Sequence, residues 1–193
     1  MRNEINSYNT KLLLANTLKE ILKYKSFSEV TVTEITKLSK VNRNTFYYHF
    51  DYIYDLLRWL LEQEAIKKVR DYNTMDDIND AINFTLDYIE ENRSFLRNII
   101  NSVGEYDLKR FLSKDFKEII ENFILIAEKE LNIEVDEDYR SFLTTFVTEA
   151  IAGLLIDFIY TNENISRKKI NYFVQVTTVN TIMASLKAYK NNN

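Results

Sequence analysis

TEITKLSKVNRNTFYYHF, running from Thr33 to Phe50, sets two short helical patterns around one tight turn. In its first half Ile35 and Leu38 stand three apart on one helical face, and Thr33 is placed as a hydroxyl cap for an orphan backbone N–H. Ser39-Lys40-Val41 makes the turn. Asn42 is expected to cap the second helix by accepting from the N–H of Thr45, while Phe46 and Phe50, at i and i+4, bury together against the first helix. With those rings inward, Arg43, Asn44, Thr45, Tyr47 and Tyr48 occupy the first turns and the exposed side, where a reading helix meets base edges and phosphates in a major groove. The pattern predicts a helix-turn-helix whose contact residues are Thr33, Asn42, Arg43, Asn44, Thr45, Tyr47, Tyr48 and His49.

Working outward, Thr10 to Tyr24 carries Leu13, Leu14, Thr17, Leu18, Ile21 and Leu22 at spacings of three and four, a supporting helix that completes a three-helix head. Phe27 and Val30 close its small core. After Phe50, the segment Tyr52 to Lys68 reads as one amphipathic helix with Ile53, Leu56, Leu57, Leu60 and Leu61 inward and Trp59 partly outside. This helix links head to body.

At these residues the chain resembles the TetR family of transcriptional regulators, whose usual pattern runs Thr-Val-x-x-Ile-Ala-x-x-Ala-Gly-Val-Ser-x-Gly-Thr-Phe-Tyr-x-His-Phe. Here it reads Thr31-Val32-Thr33-Glu34-Ile35, then Val41-Asn42-Arg43-Asn44-Thr45-Phe46-Tyr47-Tyr48-His49-Phe50, then Asp55-Leu56-Leu57. Three positions depart from the pattern: Lys40 replaces the turn glycine, Asn44 stands where glycine is common, and Ile53 stands where a lysine often meets phosphate. Lys40 must either enter a left-handed conformation, at roughly 1 kcal/mol or more, or use a different turn. The resemblance implies a homodimer on a palindromic operator, probed and released by a small effector. Ala150 to Ser166 also resembles the C-terminal domain of a subgroup of low-GC Gram-positive regulators that includes the dihydroxyacetone kinase regulator.

Composition agrees with an all-α chain. Proline is absent and glycine occurs twice in 193 residues, so punctuation for strands and hairpins is missing. The length suits a small head, residues 1–50, and a larger helical regulatory and dimerisation domain, residues 51–193. Residues 1–50 hold eight Lys and Arg against four Glu, a local net of +4, which leaves −8 on the remainder of a chain whose total is −4. A basic head on an acidic body is the electrostatic footprint expected if only the head meets phosphate. There is no basic-plus-apolar leader and no run of eighteen apolar residues, which predicts a cytoplasmic protein outside the membrane. Absence of cysteine excludes disulfides and thiolate metal sites.

The body resolves into helices over Asp76 to Glu91, a short one capped by Ser94, Tyr106 to Leu131 with a break near Ser113, Asp138 to Thr161 and Ser166 to Lys190; Gly104 is a stop and Asn191 to Asn193 a frayed tail. Apolar residues cover more than half the circumference of the Asp138 helix, more than one domain core requires, and the last helix adds small groups that permit close approach. The expected dimer interface is Phe146, Ala150, Gly153, Leu154, Phe158, Val174, Thr177, Thr181 and Ala184, which the family resemblance would arrange as a four-helix bundle. Phe84, Tyr88, Phe95, Phe123, Phe146 and Tyr172 are candidates for an apolar pocket that takes a small apolar or aromatic effector. Asp87, Glu149 and Asp157, acids near apolar runs, are expected to be solvated or at an interface rim.

Enzymatic chemistry has no support in the residues. His49 is the single histidine, and no glycine-rich phosphate loop, cysteine nucleophile or histidine cluster accompanies it, so no catalytic residue, cofactor or metal is expected. The rival to a DNA-binding regulator is a helical interaction protein or co-activator that keeps the head but answers to a protein partner rather than a small-molecule inducer.

Overall fold

The computed structural model describes residues 2–72, 74, 77–160 and 167–192. Among these, ten α-helices succeed one another and there is no strand: α1 Arg2–Ile21, α2 Val32–Ser39, α3 Arg43–His49, α4 Ile53–Leu61, α5 Lys67–Arg70, α6 Ile78–Glu91, α7 Arg93–Val103, α8 Glu105–Leu131, α9 Glu137–Tyr160 and α10 Arg167–Asn192. The all-α reading stands. Asp76, the Thr161 to Ser166 turn and Asn193 lie outside the described residues.

Two compact units emerge, Met1–Lys67 with Asn92–Gly104, and Lys68–Glu91 with Glu105–Asn193. The first is thus larger than the head expected from residues 1–50, for two reasons. Leu56, Leu57, Leu60 and Leu61 of α4 are buried and α4 packs on α1. α7 joins because Asn98 reaches the end of α1: its Nδ2 donates to the carbonyls of Leu22 and Lys25 at 2.8 and 2.7 Å, and its Oδ1 accepts from the N–H of Phe27 at 3.0 Å. Those three backbone groups belong to the turn after α1, where no helical partner remains for them. Ser102 adds a hydroxyl bond to Ser26 at 2.9 Å.

Local signals explain most helix ends. At the end of α8, Asn132 takes φ +51°, with its N–H bonded to the Lys129 carbonyl and that of Ile133 to the Glu128 carbonyl, a Schellman closure. Gly104 ends α7 at φ +97°, a conformation that disfavours side chains, as the stop expected there requires. α7 starts at Arg93, so Ser94 lies inside it rather than capping it. α8 passes Ser113 without the expected break. The single helix expected over Tyr52 to Lys68 begins at Ile53, with Tyr52 as its extended N-cap, and contains a π turn, Glu62–Ile66, between α4 and α5.

In the second unit α8 and α9 pair along their length, with α6 and α10 against them. Ile120, Ile124, Ala127, Leu143, Val147, Ile182 and Leu186 form one buried cluster between α8, α9 and α10. By length and composition alone α9 is apolar enough to cross a membrane. Here Leu143, Val147, Ala152, Ile156, Phe158 and Ile159 are buried within the unit, which makes it a core helix.

Candidate nucleic-acid interface

The helix-turn-helix is built by caps on both sides of one left-handed residue. Thr31, not Thr33, is the N-cap of α2: its Oγ1 accepts from the Glu34 N–H at 3.2 Å, and Thr33 is an exposed residue inside the helix. The hydroxyl must precede the first helical turn by one residue to reach an N3 donor, and only Thr31 does. Lys40 adopts φ +56°, the first of the two options open to it. Its N–H bonds the Lys37 carbonyl at 3.4 Å and that of Val41 bonds the Thr36 carbonyl at 3.0 Å, so the strain of a side chain in this region is offset by a Schellman closure.

Ile35 is fully buried, but Leu38 is 54% exposed, which corrects its assignment to the inward face. Thr36 and Ser39 take that side instead, buried with their hydroxyls bonded to helix carbonyls, Thr36 to Val32 at 2.9 Å and Ser39 to Thr36 at 3.4 Å. Leu13 of α1 is likewise outward, because the buried stripe of that helix is Leu14, Ala15, Leu18 and Ile21.

Asn42 caps α3, through the N–H of Asn44 at 2.8 Å rather than that of Thr45, whose N–H bonds the Asn42 backbone carbonyl at 3.0 Å. Phe46 and Phe50 are buried with ring centroids 5.9 Å apart, and Trp59 of α4 lies 6.2 Å from Phe50. These anchors decide what α3 shows. Asn42, Arg43, Asn44, Tyr47 and Tyr48 are exposed, Tyr48 at 82%, while Thr45 and His49 are half-buried. Arg43 donates from Nη2 to the Tyr47 hydroxyl at 3.3 Å, with its guanidinium 5.6 Å from the ring centroid. Fewer than two turns of helix therefore present a cation, an amide and two phenols together, groups able to bond phosphate oxygens and base edges.

His49 is a neutral member of this face. Burial lowers its pKa below the ordinary 6.5, and the charge of Lys11 lowers it further. Being the only histidine, it gives a single titrating resonance. Its midpoint by NMR is expected below 6.5 and should rise in Lys11→Met. Because the folded state holds this proton more weakly than the unfolded chain does, the unfolded state binds more protons between the two pKa values. Stability of the first unit should then rise with pH through that window and fall on acidification below 6.5. A midpoint above 6.5 would contradict this environment.

The second unit contains a cavity of about 290 Å³. Four helices each turn one stripe toward it: Ile78, Ala81, Ile82 and Thr85 from α6, Phe116, Ile119 and Phe123 from α8, Ile151, Leu155 and Phe158 from α9, and Val174, Thr178 and Ile182 from α10. Of the six aromatic pocket candidates only Phe123 lines it. Phe84 and Tyr88 stack on each other along α6, with centroids 6.5 Å apart, and Phe84 lies under the Lys68 ammonium. Phe95 is buried in the first unit, and Phe146 and Tyr172 point outward on α9 and α10. The lining is mainly aliphatic, with Phe116, Phe123 and Phe158 as its aromatic members, and it follows the i, i+3, i+4 stripes of α6 and α8.

Among the expected interface residues, Phe158 is buried and lines the cavity, so it is not available to a partner. Phe146 is 56% and Leu154 52% exposed, Ala150, Thr177 and Ala184 are exposed, and Gly153, Val174 and Thr181 are half-buried. Phe142, Tyr172 and Phe173, absent from the expected set, are also half or more exposed, and Phe142 stacks beside Phe146 at 6.4 Å. Of the three acids, Asp87 pairs with Arg167 and Glu149 with Lys109 at 3.0 Å, while Asp157 lines the cavity from an exposed position. Arg167 also meets Glu90 at 2.8 Å and the Asn83 carbonyl at 3.0 Å, tying the start of α10 to α6; its pKa is raised by Asp87 first and Glu90 next.

Comparison with known proteins converges on one assignment. Residues 76–178 match a TetR-type family model described as a transcriptional regulator C-terminal region. The chain is 22% identical over 181 residues to the HTH-type dhaKLM operon transcriptional activator DhaS of Lactococcus lactis subsp. lactis (strain IL1403), covering 94% of this chain and 92% of that protein. A solved structure titled dihydroxyacetone kinase operon activator DhaS superposes with a TM-score of 0.67 at 21% identity, covering 93% of this chain and 97% of that one. With a helix-turn-helix in its first unit and the family's C-terminal region across more than half its length, the chain belongs to the TetR family of transcriptional regulators.

Proposed function

We propose that the chain is a homodimeric DNA-binding regulator of the cytoplasm. Residues 1–50 bind a palindromic operator, and residues 51–193 supply dimerisation and the response to a small effector. The observation that carries the reading is the exposed face of α3, where Arg43, Asn44, Tyr47 and Tyr48 stand free of the core that Phe46 and Phe50 anchor. Thr45 and His49 are close enough to solvent to join them, and Asn42 sets the helix N-terminus toward phosphate. A dimer would present two such helices about one helical turn of DNA apart. Repression, with release by the effector, is the primary reading. Activation is the second, favoured because the Lactococcus relative is described as an activator.

A gel shift on the region upstream of the chain's own gene tests DNA binding, run at several salt concentrations. A sequence-selective complex that weakens with salt is expected; its absence would favour the interaction-protein reading. Arg43→Ala should weaken the complex by about 1.5–3 kcal/mol and Tyr47→Phe by roughly 0.5–1.5 kcal/mol. Since the two side chains already touch, their effects should not add. Unaltered binding in both variants, with circular dichroism unchanged, would remove them from the contact. A reporter fused to the same region separates the modes, since loss of the chain raises output under repression and lowers it under activation.

A further inference from the structure

The cavity in the second unit has a chemical character that narrows its occupant. Its lining is aliphatic and aromatic except for Thr85, Thr178 and Asp157. Thr85 donates its hydroxyl proton to the Ala81 carbonyl at 2.8 Å, so among the described residues Thr178 is the hydroxyl left to donate to a ligand, while Thr85 can only accept. Among the described residues no lysine, arginine or histidine lines the space, and the one ionisable lining residue is an acid. A carboxylate or phosphate placed there would meet no counter-charge and would lose its hydration, while a polyol would leave most of its hydroxyls without partners. Size adds a second limit. An apolar cavity of about 150 Å³ holds benzene, so one of 290 Å³ accommodates about twelve non-hydrogen atoms.

We propose that this cavity binds a neutral, hydrocarbon-rich molecule of about ten to twelve non-hydrogen atoms with one hydroxyl or carbonyl, held beside Thr178, and that it rejects anions and polyols of similar length. The regulatory meaning of this site rests on the effector reading above; the ligand class does not. Entry lies on the α9 side, where Leu154 and Asp157 line the cavity and are also exposed. Asp157 at that position repels anions before they reach the apolar interior.

The test uses the full chain and 1-naphthylamine, a neutral probe of about eleven non-hydrogen atoms whose emission shifts to the blue in apolar surroundings, competed at pH 7.5 with decan-1-ol, decanoate and glycerol. Decanol should displace the probe and raise the thermal midpoint. Decanoate should need about a hundredfold higher concentration, because it must either bury its charge or take up a proton well above its ordinary pKa. Glycerol should do neither. Thr178→Val should raise the decanol concentration needed by about two- to tenfold relative to that of decane, which has no group for the hydroxyl to bond. Ala81→Phe, which fills the space, should abolish both probe and decanol binding, and Tyr106→Ala, a 75% exposed residue at the start of α8 outside the lining, should change neither. Decanoate competing as well as decanol overturns the proposal, as does an unshifted probe emission together with no thermal shift from decanol. Adding decanol to the operator complex separates the two readings. Bound decanol that leaves the complex unchanged removes the effector role and keeps the ligand class, whereas a complex released by decanoate does the reverse.

Discussion

Phe146→Glu is expected to turn a dimer into a folded monomer. Phe142, Phe146, Leu154, Tyr172 and Phe173 are large apolar side chains at least half exposed on α9 and α10 of an isolated chain. Exposed singly such residues need no explanation, but a set of five on two helices is the kind of surface a partner covers. By two-fold symmetry one substitution enters the interface twice, and each buried unpaired carboxylate costs several kcal/mol, enough to weaken association by more than about a thousandfold. Phe146 is the better probe than Leu154, because Leu154 also lines the cavity and its loss would confound the reading. Light scattering on the wild type should give twice the chain mass, with the variant at one chain mass and its helical circular dichroism retained. A wild-type monomer at micromolar concentration would end the dimer proposal.

Glu128→Ala should cost about 3–5 kcal/mol of stability, the usual penalty for removing one partner of a buried ion pair. Glu128 is only 6% exposed. Its Oε2 accepts from Arg140 Nε at 2.9 Å, and its Oε1 accepts from Arg140 Nη2 at 3.1 Å and from the Val135 N–H at 3.0 Å. Arg140 also donates to the Val135 carbonyl at 3.1 Å, so the pair ties α8, α9 and the turn between them into one network. The hydrogen bond to Glu128 is the largest cause raising the Arg140 pKa, which keeps the guanidinium charged over all ordinary pH. Without the carboxylate that charge, 21% exposed, keeps only the Val135 carbonyl and the weaker influence of Glu134 and Glu121. Urea unfolding measures the loss, and Arg140→Met added to Glu128→Ala should recover part of it, since both charges are then gone. A loss below about 1 kcal/mol would mean the network is solvated.

Where sequence alone sufficed, the interactions were local. The turn between α2 and α3, the Asn42 cap, the burial of Phe46 and Phe50 and the exposure of Arg43, Asn44, Tyr47 and Tyr48 all follow from groups within about one helical turn of each other. The same is true of the Gly104 stop and of the all-α class. Errors at this level, such as Thr33 for Thr31 as the cap, were shifts of two residues within the right element.

Tertiary structure decided what periodicity left degenerate. α9 is apolar nearly all round, and burial of apolar surface is non-directional, so its sequence cannot apportion its faces. Packing gives Leu143 and Val147 to the core with α8 and α10, Ile151, Leu155 and Phe158 to the cavity, and leaves Phe142 and Phe146 outward. α7 goes to the first unit because the Asn98 amide satisfies three backbone groups more than seventy residues away, a match of donors to acceptors that no local pattern encodes. Phe123 lines the cavity and the other five aromatic candidates do not, for the same reason: a cavity is what four helices leave unfilled between them, and its lining is fixed by their mutual packing rather than by the residue types of any one.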